Sequence, residues 1–466
     1  MLAPKVYLSK TRQEDIKNSG VDGRATLISA DQIIIDTDKD VHNQAQMAAR
    51  TLTYIQANNI HNDGKINGQQ VALLAENDIT GAGRFEADNA LLLQAGKQIA
   101  LNSTTATNEV KSGGYRNNQT HIDRQATVYV KGENGSLTLA AENIALNAVN
   151  IINDGKGQTR LHAIDKLELG TVMEQSEQQL GGSSNHRKHE KATKAQVTRV
   201  HSQGDVTLQA NTMTAEGTQL QSKGALQLSA TEALRLGTTT ENHILEEYHK
   251  DKTKRLGGSE SHESYLHTES QTQQATQLNG QSVKVAAAGD LTAVATQVLA
   301  TGDLIFTAGG KLNLESAIDS EKRIEWEKHQ KSGLTSGYSG GVARVGYEKS
   351  NRALDGQASE QQAKVAQLTS KNGDVMLLAN KALTLDGTHL DAGGDMLLSG
   401  SEVKVNAVYD RSQSEQHSRT KVKGVGVRAT IDEHAVKKQQ YQDESANGST
   451  QTLVGKIINF VEATDK

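Results

Sequence analysis

The apolar residues of this chain recur in short alternating sets separated by glycine turns. In residues 373–406, GDVMLLANKALTLDGTHLDAGGDMLLSGSEVKVN, a Gly-Asp turn opens a strand pattern that puts Val375 and Leu377 on one side. A small-residue corner follows, and Leu383 and Leu385 mark a second strand. The phrase that opens at Gly373 then starts again at Gly394. Alternation with period two predicts β-strands, and no helical period lies between them. Strands this short bury an apolar face only when the chain winds into a coil and the next coil stacks upon it.

The same phrase fills much of the chain. It is readable at 25–35, 52–57, 71–79 and 91–101, where Val71 and Leu91 begin equivalent strands. The period is thus about 20 residues, within the range of solenoid repeats. Further copies open at Gly135, Gly204, Gly224, Gly289, Gly302 and Gly310, and an incomplete one runs through Leu453, Ile457, Ile458 and Phe460. Gly204, Gly224, Gly289, Gly310, Gly373 and Gly394 are expected as structural turn residues. About a dozen coils at the ~4.8 Å strand spacing predict a rod of the order of 60 Å. Residues 1–19 read as an irregular charged segment and 20–466 as the repeat domain.

A second, longer period interrupts the first. Polar segments at about 103–130, 172–200, 238–279, 316–366 and 408–449 each carry a glycine group, at Gly113-Gly114, Gly181-Gly182, Gly257-Gly258, Gly340-Gly341, and Gly424 with Gly426. Successive groups lie roughly 70 to 85 residues apart, a longer repeat superposed on the first, so two coils are expected for every inserted arm. A charged segment folding back at a glycine predicts a hairpin projecting from the rod. Disordered polar loops are the other reading, and residues 318–330, IDSEKRIEWEKHQ, have helix-forming composition.

Composition narrows the class. With 3% aromatic and 35% hydrophobic residues, 42 glycines and a single proline, the chain lacks the large side chains of a thick globular core, but it suits a thin core renewed coil after coil. Cysteine is absent, so no disulfide contributes. A net charge of −5 gives no global attraction to nucleic acid. The first residues show neither a basic n-region nor an apolar h-region, and no apolar run reaches membrane-spanning length, so neither a signal peptide nor a span is expected in this stretch.

Motifs that could carry catalysis are weak. Gly337-Tyr338-Ser339-Gly340-Gly341 matches G-x-S-x-G, but a nucleophile elbow needs a buried strand turning sharply into a helix, and the flanks here are polar. His262 and His267 stand one residue too far apart for a helical zinc pair, and His186 and His189 lack a third ligand in the neighbouring sequence. Asp205, Asp290, Asp303, Asp374 and Asp395 follow turn glycines and suggest either an acidic stripe for Ca²⁺ or ordinary turn hydrogen bonding. The basic run KDKTKR at 250–255 is balanced by Glu246, Glu247 and Asp251. No catalytic, metal or cofactor site is expected.

Tyrosine is more informative. Tyr115, Tyr129, Tyr248, Tyr265, Tyr338, Tyr347, Tyr409 and Tyr441 fall in the arms or at their roots. Tyr is an efficient contact residue, apolar in body and polar at its tip. Tyr115, Tyr248, Tyr265, Tyr338, Tyr347 and Tyr441 are therefore the expected partner-binding residues.

The Gly-Asp-Leu/Val-x-Leu-x-Ala phrase, repeated coil by coil and paired between Glu- and Ser-rich arms with glycine tips, resembles the hemagglutinin repeats of filamentous hemagglutinins. It is most similar to the second repeat region of two-partner secretion exoproteins, among them the contact-dependent growth inhibition toxins. The likeness covers about 20–460. It implies an all-β, right-handed parallel β-helix with projecting hairpins: a non-enzymatic stalk of a secreted, cell-surface exoprotein. Adhesion to receptors of other cells, protein or glycan, and presentation of a C-terminal toxin are the implied roles. The family's Asn-Pro secretion motifs cannot occur in a chain whose only proline is Pro4, so a middle segment is expected, with export through an outer-membrane transporter directed by a domain outside this sequence. The competing reading is a β-helical lyase or hydrolase acting on an acidic polysaccharide, supported only by the repeated aspartates.

Overall fold

The computed structural model describes residues 26–183, 185–339 and 342–430, with two short pieces at 437–439 and 450–453. Every regular element among them is a β-strand. They build two systems that share strands: a stack of parallel coils and an antiparallel sheet made by the arms.

Each coil carries three short strands, and each strand pairs in parallel with its equivalent in the next coil. Along one face the rungs begin at Leu27, Gln46, Lys65, Arg84, Thr127, Asn150, Arg199, Gln219, Gln277, Gln297, Ala366 and Thr388, twelve coils among the described residues. Val71 pairs directly with Leu91. Val375 and Leu377 lie between Leu304 and Phe306 of one neighbour and Met396 and Leu398 of the other. Both are fully buried, as are Leu383, Leu312 and Leu291 stacked along the third face. A single line of Leu, Val, Ile and Ala thus forms one continuous core, which is what a chain poor in aromatics can fill.

The corner between the first and second faces explains the glycines. A buried Asn or Ser ends the first strand and accepts a hydrogen bond from a following turn amide: Gly155 donates to Asn153 Oδ1 at 3.0 Å, Gly204 to Ser202 Oγ at 3.2 Å, Gly224 to Ser222 Oγ at 3.1 Å and Gly373 to Ser370 Oγ at 3.0 Å. The aspartates then act between coils. Asp205 Oδ1 accepts from the Ala225 amide, Asp290 from Lys311 and Asp374 from Asp395, each at 2.8 Å. Asp303 accepts from the amide of Asp374 at 3.1 Å. A Cβ at Gly224, Gly310 or Gly394 would collide with the carboxylate of the coil beneath. At Gly204 and Gly289 it would meet backbone atoms of the neighbouring coil instead, and at Gly373 both backbone and the Asp303 carboxylate. Close approach of stacked backbones is the physical reason for glycine here.

The corner between the third and first faces alternates in kind. In one coil it is closed by a single left-handed residue: Ala148 (φ 55°), Gly217 (φ 59°), Ala295 (φ 48°) or Gly387 (φ 57°). From the coil that begins at Arg84 onward, the chain leaves at this corner of every second coil as an arm and returns to it, whereas the coils before it pass the corner without one. Thr198, Thr218, Thr276 and Thr296 sit fully buried at successive corners. Thr276 Oγ1 lies 2.8 Å from the Gly237 carbonyl and 3.1 Å from that of Ala215, so a hydroxyl seals the backbone where an arm rejoins the rod.

The arms do not project independently. Hairpins form from Thr104–Ser112 with Tyr115–Arg124, Thr159–Ser183 with His186–Val197, Leu234–Arg255 with Gly258–Ala275, and Ala317–Ser339 with Val342–Lys364. Each also pairs with the next: 115–120 with 175–180, 186–192 with 243–249, 258–271 with 320–333, and 342–361 with the strand Arg411–Thr430. The result is one continuous antiparallel sheet. No described side chain between 240 and 274 or between 316 and 365 is fully buried, so the sheet is a single layer with both faces in solvent. The fourth hairpin has 23 residues in each strand and reaches roughly 75 Å at ~3.3 Å per residue.

Several expectations change. Gly113 and Gly257 turn their hairpins with positive φ, but the second hairpin closes across Ser183 and His186, past Gly181-Gly182. Gly340 and Gly341 lie outside the described residues. Gly424 and Gly426 are not a tip at all: they sit inside a straight strand opposite Glu348 and Gly346. Residues 318–330 are strand rather than helix, because neighbours on both edges take up their backbone groups and override helical propensity. Leu453, expected in a last coil, pairs instead with Ser414 at the edge of the arm sheet. Ile457, Ile458 and Phe460, like residues 1–19, lie outside the described residues.

Candidate interaction surface on the arm sheet

Directly paired residues of an antiparallel sheet share a face. Arg187, Tyr248, Tyr265, Trp326, Asp355 and His417 form such a row across six strands drawn from four arms. Tyr265 stacks on Trp326 with centroids 5.9 Å apart and planes at 21°, and Tyr248 meets Trp326 edge-on at 6.2 Å. The Arg187 guanidinium lies 4.9 Å above the Tyr248 ring and Lys328 Nζ 4.3 Å above Trp326. The row is therefore an aromatic ladder closed at both ends by cations, half-buried only by its own neighbours.

Hydrogen bonds set the polar edge of the ladder. Tyr248 donates its hydroxyl to Glu263 Oε1 at 2.5 Å, and Lys250 Nζ reaches the same oxygen at 3.2 Å. The bond to Glu263 pushes the Tyr248 phenol up, and the Tyr248 and Lys250 bonds hold Glu263 below the usual carboxylate range. Partial burial raises Tyr265. An open cleft of about 1100 Å³ lies here, bordered by Tyr115, Leu180, Arg187, Tyr248, Tyr265 and Trp326. Such a mixture of flat apolar rings, guanidinium and carboxylate offers stacking and hydrogen bonding but no assembled nucleophile, base and oxyanion donor.

Of the six tyrosines expected to bind partners, the fold gathers Tyr115, Tyr248 and Tyr265 around this cleft. Tyr347 stands apart beside Lys252, Lys254 and Arg255. Tyr338 occupies a strand position opposite Ala343, and Tyr441 lies outside the described residues. Tyr129 is not an arm residue: it is on a coil strand between Arg84 and Lys131, its phenol pushed up to about 12 by donation to Asp154. Trp326 carries no such signal in the sequence, since a helical reading of 318–330 puts it on no clean face, whereas strand alternation aligns it with Tyr265.

The other motifs resolve along the same lines. His262 and His267 are on a strand, where an odd separation sends them to opposite faces, and His186 and His189 are likewise divided. Residues 337–339 continue a strand paired with 342–344, without the strand-turn-helix context of an elbow nucleophile. Asp205, Asp290, Asp303 and Asp374 spend their carboxylates on amides of the next coil.

Residues 256–420, which run from the tip of the third hairpin through its return strand, the next coils and the fourth hairpin, match the hemagglutinin repeat family. Over those residues the chain carries the hemagglutinin repeat of filamentous hemagglutinin-like proteins. It is similar to the deoxyribonuclease CdiA of Dickeya dadantii, at 24% identity over 84% of this chain and 12% of that protein. It is also similar to a tRNA nuclease CdiA of Escherichia coli, 24% identical over 75% of this chain and 10% of the relative, and to the 16S rRNA endonuclease CdiA of Enterobacter cloacae, 26% identical over 32% and 4%. This hemagglutinin-repeat chain thus spans only about a tenth of the length of such relatives. No solved structure matches it. Among the described residues no helix is long and apolar enough to cross a membrane.

Proposed function

We infer that this chain is a non-enzymatic stalk segment of a secreted, surface-exposed exoprotein, and that its arm sheet is the face that contacts a neighbouring cell during adhesion or toxin presentation. The observation that carries this reading is the cation-capped Tyr248–Tyr265–Trp326 ladder, held open to solvent on a sheet that adds nothing to the coil core. Coils that bury their apolar residues suit a spacer, whereas a single-layer sheet keeps two faces free for a protein or glycan partner. Export through an outer-membrane two-partner transporter accords with the likeness to CdiA proteins, and the nuclease activities in their names belong to parts of those chains that this one does not span. The right-handed winding expected of the family is part of the same proposal.

The test is attachment of the purified chain to target cells. A variant carrying Tyr248→Ala, Tyr265→Ala and Trp326→Ala should lose binding at least tenfold while circular dichroism keeps its β signal. Undiminished attachment would remove the ladder from the account, and turnover of polyuronates by the wild-type chain would favour the lyase reading.

A further inference from the structure

We propose that His186, His249 and Asp251 form a binding site for a divalent transition-metal ion, Zn²⁺ or Cu²⁺, that staples the second arm to the third. His186 and His249 are directly paired across the junction of the two hairpins. One ligand atom from each of the three residues can be chosen so that all lie within 4.8 Å of one another. His186 Nε2 stands 3.6 Å from Asp251 Oδ1, and His249 Nε2 3.1 Å from Asp251 Oδ2. Bonds of about 2.0–2.1 Å in a tetrahedral site place ligand atoms about 3.3–3.4 Å apart, so these separations bracket the requirement. Two imidazoles and one carboxylate are borderline donors that favour Cu²⁺ and Zn²⁺ over Ca²⁺ or Mg²⁺.

Two further features point the same way. The rings already face each other with Nδ1 atoms 2.8 Å apart, a contact that one proton can bridge and two cannot. A metal on both Nε2 atoms puts N–H on both Nδ1, so the two rings must tilt apart on binding. At 48% and 54% exposure the side chains have room to do so. Lys188, two residues along the strand from His186 and so on the same face, is paired with Glu190 at 3.2 Å and Glu247 at 3.4 Å, so its charge is offset. His262 and His329 follow along the same face, but their ring nitrogens are engaged by Glu327 and Glu260. Three protein ligands leave a fourth position open to water.

The ligands come from different hairpins, so a bound ion would cross-link two arms that otherwise meet only through backbone pairing and surface contacts. The experiment is calorimetric titration of the full chain with Zn²⁺ and with Cu²⁺, and metal content after gel filtration. One ion per chain is expected, with affinity reduced at least tenfold by His249→Gln or Asp251→Asn and unaltered by His121→Gln on the first hairpin. Amide exchange at 186–192 and 243–249 should slow on Zn²⁺ addition in wild type only. Absence of stoichiometric uptake, or equal uptake by His186→Gln/His249→Gln, would overturn the site. Should His249→Gln unfold locally, Asp251→Asn, an exposed position, provides the same readout.

Discussion

The coil stack and the arm sheet are both β-structure, yet they are stabilised by different physics. In the coils the inward apolar residues are covered by the rungs on either side, so burial sets the register and a one-residue slip would turn Leu and Val outward. In the arms, beyond their roots, no described side chain is fully buried, and the strands are held by backbone pairing, ion pairs and the aromatic ladder. The coils therefore specify shape and tolerate little. The arms leave their side chains free for chemistry.

Substitutions can break this contrast, and the largest effects belong to the coils. Phe306→Ala, at a fully buried position, should cost about 3–5 kcal/mol in urea unfolding, whereas Trp326→Ala, only partly buried on the arm, should cost no more than about 1.5 kcal/mol. Glu86→Ala comes next. Glu86 is 3% exposed and takes ion pairs from Lys65 and Arg84 at 3.0 Å, and from Lys131. Removing it takes one buried carboxylate away from three cations at once, for about 3 kcal/mol in the same measurement.

At the border of the two systems, Thr276→Val removes the hydroxyl that seals the arm root and should cost about 1–3 kcal/mol. Faster amide exchange at the base of the third hairpin would locate the damage. Ala295→Gly works in the opposite direction. Ala295 holds φ 48° at a corner where Gly217 and Gly387 do the same in other coils, so glycine should raise stability by up to about 1 kcal/mol in thermal unfolding.

The smallest effect separates the systems by pH. Hydrogen bonds from His243 and Lys188 hold Glu190 below its ordinary value, and those from Tyr248 and Lys250 do the same for Glu263. A depressed folded pKa means stability that is present above the unfolded value of about 4.3 and lost as pH falls through the folded one. Amide exchange in the arms should rise between pH 5 and roughly 3 before that of the coils does.

The coil register was legible because identical neighbours recur once per coil: Gly394 donates its amide to the carbonyl of Gly373, the pairing their spacing predicts. The hairpins were legible at Gly113 and Gly257, where a turn needs positive φ. Gly424 and Gly426 misled, since glycine inside a strand looks the same in sequence as glycine at a turn. Asp205 and Asp290 are recognisable as turn residues, but their acceptor role between coils needed the stack.

By itself the amino-acid sequence determined a coiled, all-β chain interrupted by regularly spaced insertions, because local alternation and glycine spacing are properties of neighbouring residues. Only the tertiary structure decided that the insertions merge into one sheet. Tyr248 meets Trp326, and His186 meets His249, across the coils that separate one arm from the next. No buried face writes that register into the pattern, so the pairing emerges only when the coils bring successive arm roots to the same corner.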